Sequence, residues 1–107
     1  MGGSTARIDH VFRALADANR RAILETVHTG PRAVGDIADA VGISQQTASH
    51  HLRVLTDAGL TRSTREGTRH LYALETDGIA AARAYLDGLW PAKLQALKAA
   101  VEGRADA

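Results

Sequence analysis

The stretch that decides the fold reads GISQQTASHHLRVLTDAGL and occupies residues 42–60. On a helix of 3.6 residues per turn, Leu52 and Leu55 fall beside Ala48 and form one apolar face. The opposite face is polar, with members spaced i, i+3, i+4 and i+7: Gln46, Ser49, His50 and Arg53. The stretch therefore predicts an amphipathic helix that carries one continuous polar stripe.

The polar stripe holds side chains that suit nucleic acid. Amide, hydroxyl, imidazole and guanidinium groups can all contact base edges or phosphate oxygens. The alternative interpretation is a solvated surface face. Such faces usually carry glutamate and lysine, which are good helix formers, and this stripe carries neither. Its composition therefore favours a helix that enters the major groove of DNA.

The residues just upstream predict a shorter helix. Its apolar positions are again spaced i, i+3, i+4 and i+7: Val34, Ile37, Ala38 and Val41. Gly42 ends this helix, where a left-handed backbone favours glycine. Ile43 is expected to be buried, and Ser44 caps the next helix by accepting from free backbone N–H groups. Helix, three-residue turn and longer helix together indicate a helix-turn-helix.

The residues just downstream predict a β-hairpin. Residues 60–64 and 68–74 have the composition of two short strands. Gly67 between them can adopt the positive φ that a tight turn needs. Three arginines, Arg62, Arg65 and Arg69, lie on this hairpin. Surface arginines are often only solubilising, but beside a DNA-reading helix they favour contact with phosphate or the minor groove.

With these motifs in place, the chain resembles winged-helix repressors of the ArsR/SmtB (arsenic-repressor) family. The resemblance covers about residues 8–75. It rests on these segments: Leu15 to Asp17, Asn19 to Leu24, Val34 to Ala38, Gly42 to Gln45, Thr47 to Leu52, Leu55, Ala58 to Leu60, Glu66 to Arg69, Tyr72 and Leu74. It implies a homodimeric transcriptional regulator that binds operator DNA, usually as a repressor.

The 107 residues are expected to form a single domain. The predicted fold is mainly α, a winged helix-turn-helix of five to six helices with a two-stranded β-hairpin wing and a core at about residues 18–75. A first helix is expected at residues 8–16 and a second at residues 18–28, capped by Asp17. The last helical region runs from about residue 77 to residue 101, and Pro91 predicts a kink or break near residues 88–91.

The first and last helices carry more apolar surface than one small core needs. We therefore predict that they form a symmetric dimer interface, partly on the family resemblance. The alternative is that this stripe packs only on its own domain. The predicted dimerisation residues are Ile8, Val11, Phe12, Leu86, Leu89, Trp90, Leu94 and Leu97.

Charge is distributed in agreement with a DNA-binding face. The net charge is only +1, which by itself argues weakly against nucleic acid. Residues 44–74, however, contain four arginines against two acids, Asp57 and Glu66. The basic excess therefore falls where DNA would lie.

No metal site and no cofactor are predicted. Members of the family that the chain resembles often sense metals through cysteines on the third helix, or through aspartate and histidine on the last helix. The chain has no cysteine, and its last helical stretch has no histidine, only Asp77 and Asp87 as carboxylates. His10 and His28 are isolated in sequence. A metal-responsive regulator of the nickel or zinc type remains an alternative with the same fold.

Other functional classes are disfavoured by what the sequence lacks. No phosphate-binding glycine loop, HExxH motif or nucleophile elbow is present, so we do not expect an enzyme. No signal peptide or membrane-spanning run is found, and a cytoplasmic location is expected. A dimer that responds to a protein or small molecule and acts through a partner protein is a further alternative. Salt dependence separates it from a DNA-binding protein.

The residue assignments follow from these patterns, and the expected partners are double-stranded operator DNA and a second copy of the chain. Base-edge or phosphate contacts are expected from Gln45, Gln46, Ser49, His50 and Arg53. Ser44 and Thr47 are expected to touch backbone phosphate near the helix start, where the helix dipole favours anions. Arg62, Arg65 and Arg69 are expected to anchor the wing.

Overall fold

The computed structural model describes the backbone of residues 2–106 and the side chains of residues 7–89 and 95–103. Over this range it has five helices and one three-stranded antiparallel sheet. The helices are α1 (Gly2–Leu15), α2 (Ala18–His28), α3 (Val34–Val41), α4 (Gln45–Asp57) and α5 (Thr76–Asp106). The strands are β1 (Arg32–Ala33), β2 (Thr61–Glu66) and β3 (Arg69–Leu74). The predicted winged helix-turn-helix is confirmed.

The core lies where α1 to α4 meet the start of the wing. It is closed by aliphatic side chains that are almost fully shielded from solvent: Val11, Ile23, Val27, Ile37, Leu52, Leu55 and Leu60. Within α2 and α4 these positions are four and three residues apart, as one buried helix face requires. Burying each side chain contributes about 1.5–3 kcal/mol, so this cluster holds α4 firmly against the scaffold.

The predicted start of α2 and the predicted end of α3 are confirmed. The carboxylate of Asp17 accepts from the backbone N–H of Arg20 at 3.1 Å, which caps α2. Gly42 ends α3 with a φ of 82°, a left-handed backbone that glycine adopts without a side-chain clash. The N-cap of α3 is Ala33, which offers no side-chain bond.

The sequence did not predict strand β1. It has only two residues, Arg32 opposite Tyr72 and Ala33 opposite Leu71, and it extends the hairpin into the sheet order β1-β3-β2. Two residues cannot show a period-two pattern. This strand exists because β3 offers it an edge for pairing, so only the tertiary structure reveals it. The wing is thereby tied to the start of α3.

Helix α5 contradicts the predicted break near residues 88–91. It continues as one helix of 31 residues through Pro91, a length of about 46 Å at 1.5 Å per residue. Proline removes only one helical N–H bond and costs about 3 kcal/mol. The alanine- and leucine-rich turns on both sides are good helix formers and maintain the helix across it. Helix α1 also begins earlier than predicted, at Gly2.

Within the part of the chain that the structure describes, no helix combines the length and apolarity needed to cross a bilayer.

Candidate nucleic-acid interface

Helix α4 presents its polar stripe to solvent. Ala48, Leu52 and Leu55 are completely buried on its inner side. The side chains of the stripe are all exposed: Gln46, Ser49, His50 and Arg53. The predicted division of the helix into two faces is therefore confirmed, and the stripe is available to a ligand as large as a duplex.

The start of α4 carries two hydroxyl groups that hydrogen-bond to one another. Ser44 Oγ accepts from the backbone N–H of Thr47 at 3.0 Å and donates to Thr47 Oγ1 at 2.9 Å. Because a hydroxyl is both donor and acceptor, Thr47 retains its own proton for a further acceptor. Both residues are exposed. A phosphate oxygen at this helix start would also benefit from the helix dipole.

Gln45 lies partly outside the stripe. Its amide nitrogen is 3.2 Å from the position that a Cβ on Gly35 would occupy. The missing side chain on α3 therefore leaves room for the Gln45 amide. Gln45 is exposed, but it lies on the α3 side of the helix, at the edge of the face that would meet a duplex.

A polar groove of about 240 Å³ separates α4 from the wing. It is lined by Ser49, Arg53, Thr56, Asp57, Ser63 and Tyr72. Ser63 and Tyr72, which lie opposite one another in the hairpin, were not predicted to belong to the site. Asp57 follows Arg53 by four residues and so continues the polar stripe. Its carboxylate would repel phosphate and marks the end of the candidate interface.

The three wing arginines do not share one face of the hairpin. Alternate residues of a strand point to opposite sides, so Arg65 lies on the same side as Ser63, which lines the groove against α4. Arg62 and Arg69 fall on the other side. Of the three, Arg65 is therefore oriented with the polar stripe.

Arg62 and Arg69 are paired with carboxylates. The Arg62 guanidinium is 3.5 Å from Glu75, whose carboxylate also accepts from the backbone N–H of Thr76 at 3.0 Å. Arg69 is 3.9 Å from Asp36, and both of these side chains are exposed. Exposed pairs contribute about 0–1 kcal/mol. Arg69 can therefore exchange its carboxylate for a phosphate at little cost, and Arg62 less readily because the Glu75 side chain is only 23% exposed.

Behind the stripe, His51 is buried against α2. Its Nδ1 accepts a hydrogen bond from Arg20 Nη1 at 3.3 Å. Burial lowers the pKa of His51 below its ordinary 6.5, and the nearby Asp17 carboxylate opposes this effect. His51 thus packs inside the domain, whereas its neighbour His50 is exposed on the stripe.

The structure corrects one predicted dimerisation residue. Val11 is completely buried in the core of its own chain, so it cannot reach a partner. Phe12 is half-buried and meets Tyr85 edge to face, with ring centroids 5.7 Å apart. Ile8 is also half-buried. These contacts dock α1 on the first half of α5.

Beyond that contact, α5 exposes large apolar side chains. Leu86 and Leu89 are 47% and 43% exposed, and Leu97 is 61% exposed. Trp90 and Leu94, which the sequence places on the same stripe, lie outside the residues whose side chains are described. Most of the predicted α5 stripe is therefore uncovered by its own chain.

Among the side chains that the structure describes, no three of His, Asp or Glu come together as a group that could hold a metal ion. His10 and His28 are each exposed.

Comparison with known proteins identifies the family to which this fold belongs. Residues 15–64 match the model of a helix-turn-helix domain. The HTH-type transcriptional regulator Rv2034 of Mycobacterium tuberculosis is 39% identical over 92% of both chains. The homodimeric winged helix-turn-helix domain Mb0332 of Mycobacterium bovis, described as a possible ArsR-family regulator, is 35% identical, with a TM-score of 0.67 over 86% of this chain and 83% of that one. The chain belongs to the ArsR family of transcriptional regulators.

Membership of the ArsR family establishes the functional class. The transcriptional repressor SdpR of Bacillus subtilis is 38% identical over 64% of this chain and 77% of its own length. ArsR-family proteins are DNA-binding transcription regulators, not enzymes. The helix-turn-helix match spans α2 to α4 and most of β2, which includes the whole polar stripe.

Proposed function

We propose that this protein represses transcription by binding, as a homodimer, to an operator with two-fold symmetry. The observation that carries the proposal is the polar stripe of α4, which is exposed on a helix whose opposite face is buried in the core. A rigid helix with outward amide, imidazole and guanidinium groups matches the donor and acceptor pattern of the major groove.

The proposed contacts divide into two kinds. Gln46, Ser49, His50 and Arg53 would reach base edges or phosphates, with Gln45 at the margin. Ser44 and Thr47 would hold a backbone phosphate at the helix start. Arg65 would bind phosphate or enter the minor groove from the wing, and Arg62 and Arg69 would join it by exchanging their carboxylate partners.

The proposed dimer uses the uncovered part of α5 together with α1. Leu86, Leu89 and Leu97 each expose apolar surface that a second copy would bury, at about 1.5–3 kcal/mol per fully buried side chain. The Mycobacterium bovis relative is described as homodimeric. A two-fold dimer would place its two recognition helices, the α4 helix of each copy, on half-sites about 10–11 base pairs apart.

Repression is proposed on steric grounds. A dimer that spans two major grooves would exclude polymerase from an overlapping promoter. The Bacillus subtilis relative is named as a repressor.

The test is selection of bound duplexes from a random double-stranded library, followed by anisotropy titration of the enriched site. We expect an inverted repeat and an affinity that falls steeply with added salt. In the same titration, Arg53→Ala should weaken the binding free energy by about 1–3 kcal/mol if Arg53 contacts a base. Failure to enrich any duplex at low ionic strength would refute the proposal and favour a dimer that acts through a partner protein. Repeating the selection with nickel and zinc salts tests the metal-responsive alternative.

A further inference from the structure

A single guanidinium connects three helices on the inner side of α4. Arg20 Nε donates to the carbonyl oxygen of Ala14 at 2.8 Å, and Nη2 donates to that of Arg13 at 3.0 Å. Its remaining nitrogen, Nη1, bonds to His51 Nδ1 at 3.3 Å. The last turn of α1, the first turn of α2 and the middle of α4 are therefore held by one side chain.

This bond fixes the protonation state of His51. Arginine only donates hydrogen bonds, so Nδ1 must be the unprotonated acceptor and the ring proton must reside on Nε2. His51 is only 8% exposed and directly follows His50 of the polar stripe. Because α4 is one rigid helix, a shift in how His51 is held would move the stripe as a whole.

The two carbonyl acceptors belong to the helix that the proposed dimer uses. The last carbonyls of a helix lack intrahelical partners and attract cations, so Arg20 is strongly held at the end of α1. Two recognition helices can occupy their half-sites together only if each α4 keeps a fixed orientation to its own dimerisation helices. The Arg20–His51 bond is a direct polar link between these two parts of the protomer.

We propose that Arg20 and His51 are positioning residues for operator binding, because their bond sets the orientation of α4 relative to α1. The inference rests on the proposed function and adds a pH response to it. Protonation of Nδ1 would end its role as acceptor and place two cations face to face, so α4 would lose this support in acid.

The charges around His51 determine when this happens. Burial is the largest effect and lowers the pKa of His51 below 6.5. Arg20 and His50 also disfavour protonation of the ring, while Asp17 favours it. At neutral pH the ring is therefore uncharged and the link is intact. Operator binding should weaken only as the pH falls below about 6.5 towards the lowered pKa.

Four variants separate positioning from packing. Arg20→Lys keeps the charge but cannot hold three acceptors with a planar fork, and His51→Leu removes the acceptor. His51→Asn keeps an acceptor three bonds from Cα, as Nδ1 is, and cannot be protonated in this range. The matched control is Arg21→Lys, because Arg21 also donates to α1, at Leu15 O and 2.8 Å, and is exposed.

The experiment measures affinity for the selected operator and for a scrambled duplex, with the dimer confirmed by sedimentation. Arg20→Lys and His51→Leu should weaken operator binding about three- to thirtyfold, the usual range for a coupling residue, and barely alter binding to the scrambled duplex. Arg21→Lys and His51→Asn should remain within about twofold of the parent. Equal affinity of Arg20→Lys and the parent protein would overturn the inference.

The pH series uses the ratio of parent to His51→Asn affinity, in which the effects of the other histidines cancel. The ratio should be close to one at about pH 8 and should fall several-fold as the pH drops from 6.5 through the lowered pKa of His51. A ratio that does not change with pH would overturn the pH response.

Hydrogen exchange supplies a measurement without DNA. Amides of residues 45–57 should exchange faster in Arg20→Lys than in Arg21→Lys if the link holds α4. If the parent protein binds no duplex, the proposed function fails, yet this comparison still decides whether Arg20 supports α4. Unchanged exchange would then reject the inference on its own.

Discussion

The backbone N–H of Gly78 donates to the carbonyl oxygen of Gly59 at 2.8 Å, which brings the first turn of α5 directly onto the turn after α4. A Cβ at Gly78 would lie 2.6 Å from the carbonyl oxygen of Ala58 and 2.9 Å from that of Gly59. Gly59 itself has a φ of 75°, which favours glycine. Helix α5 thus meets the end of α4 backbone to backbone.

Replacing Gly78 by alanine should push these two elements apart. The new methyl group would overlap backbone atoms, which cannot move as a flexible side chain can, so we expect a loss of about 1–3 kcal/mol. Urea unfolding of Gly78→Ala and of the parent protein measures this loss of folding stability. The matched control is Gly88→Ala in the same helix, where a Cβ would meet nothing within 4 Å. That change should stabilise the helix by about 0.5–1 kcal/mol, and equal effects of the two changes would contradict the close contact.

Removing Arg65 should weaken DNA binding without changing sequence preference. It shares the groove-facing side of the wing with Ser63, so its expected partner is a phosphate. We expect Arg65→Ala to lower affinity for all duplexes alike and to reduce the salt slope by about one. Arg62→Ala is the comparison, and we expect a smaller loss from it, because Arg62 lies on the other side and must leave Glu75 before it can reach a phosphate. A larger loss of affinity for Arg62→Ala would show that the hairpin approaches DNA by its opposite face.

Much of this site could be predicted from sequence because it depends on local rules. Helical spacing located the buried and exposed faces of α4, and short polar residues located the caps at Asp17 and Ser44. The features that the sequence missed depend on contacts between distant segments. Strand β1 requires the β3 edge, and the burial of Val11 requires the rest of the core. The Arg20–His51 bond spans 31 positions in sequence, which no periodicity can reveal.

Neutralising Asp57 should strengthen DNA binding. Its carboxylate lines the groove beside Arg53 at the end of the polar stripe and would repel phosphate. We expect Asp57→Asn to raise affinity for any duplex by about 0.5–1 kcal/mol at low salt, and by less at high salt. Asp87→Asn on α5, far along the chain from the groove, removes the same charge as a control. An equal gain in both variants would mean that only net charge matters.

A charge on the exposed apolar face of α5 should prevent dimerisation. Leu89 is 43% exposed on the single chain, so glutamate there should leave the protomer folded while opposing burial against a second copy. Sedimentation velocity should report a monomer for Leu89→Glu and a dimer for Ala84→Glu, which places the charge on a different face of the helix. A dimer in both variants would assign the interface elsewhere.

Folding stability should decrease in mild acid because of His51. Its pKa is lowered by burial in the folded state and is about 6.5 in the unfolded chain. Above pH 6.5 neither state binds the proton, so the full stability is present. As the pH falls from there through the lowered pKa, the unfolded state takes up the proton first and stability is lost. Thermal unfolding between about pH 8 and pH 5 should show this decrease.

His51→Asn isolates the contribution of this ring, because asparagine does not titrate in this range. The loss of folding stability between about pH 8 and pH 5 should be smaller in the variant than in the parent protein. Asp17 does not interfere, since the backbone N–H of Arg20 lowers the pKa of its carboxyl below 3.8. Its contribution is present above pH 3.8 and is lost only as the pH falls through the lowered value. Parallel profiles for parent and variant would show that His51 is equally easy to protonate in the folded and unfolded chain.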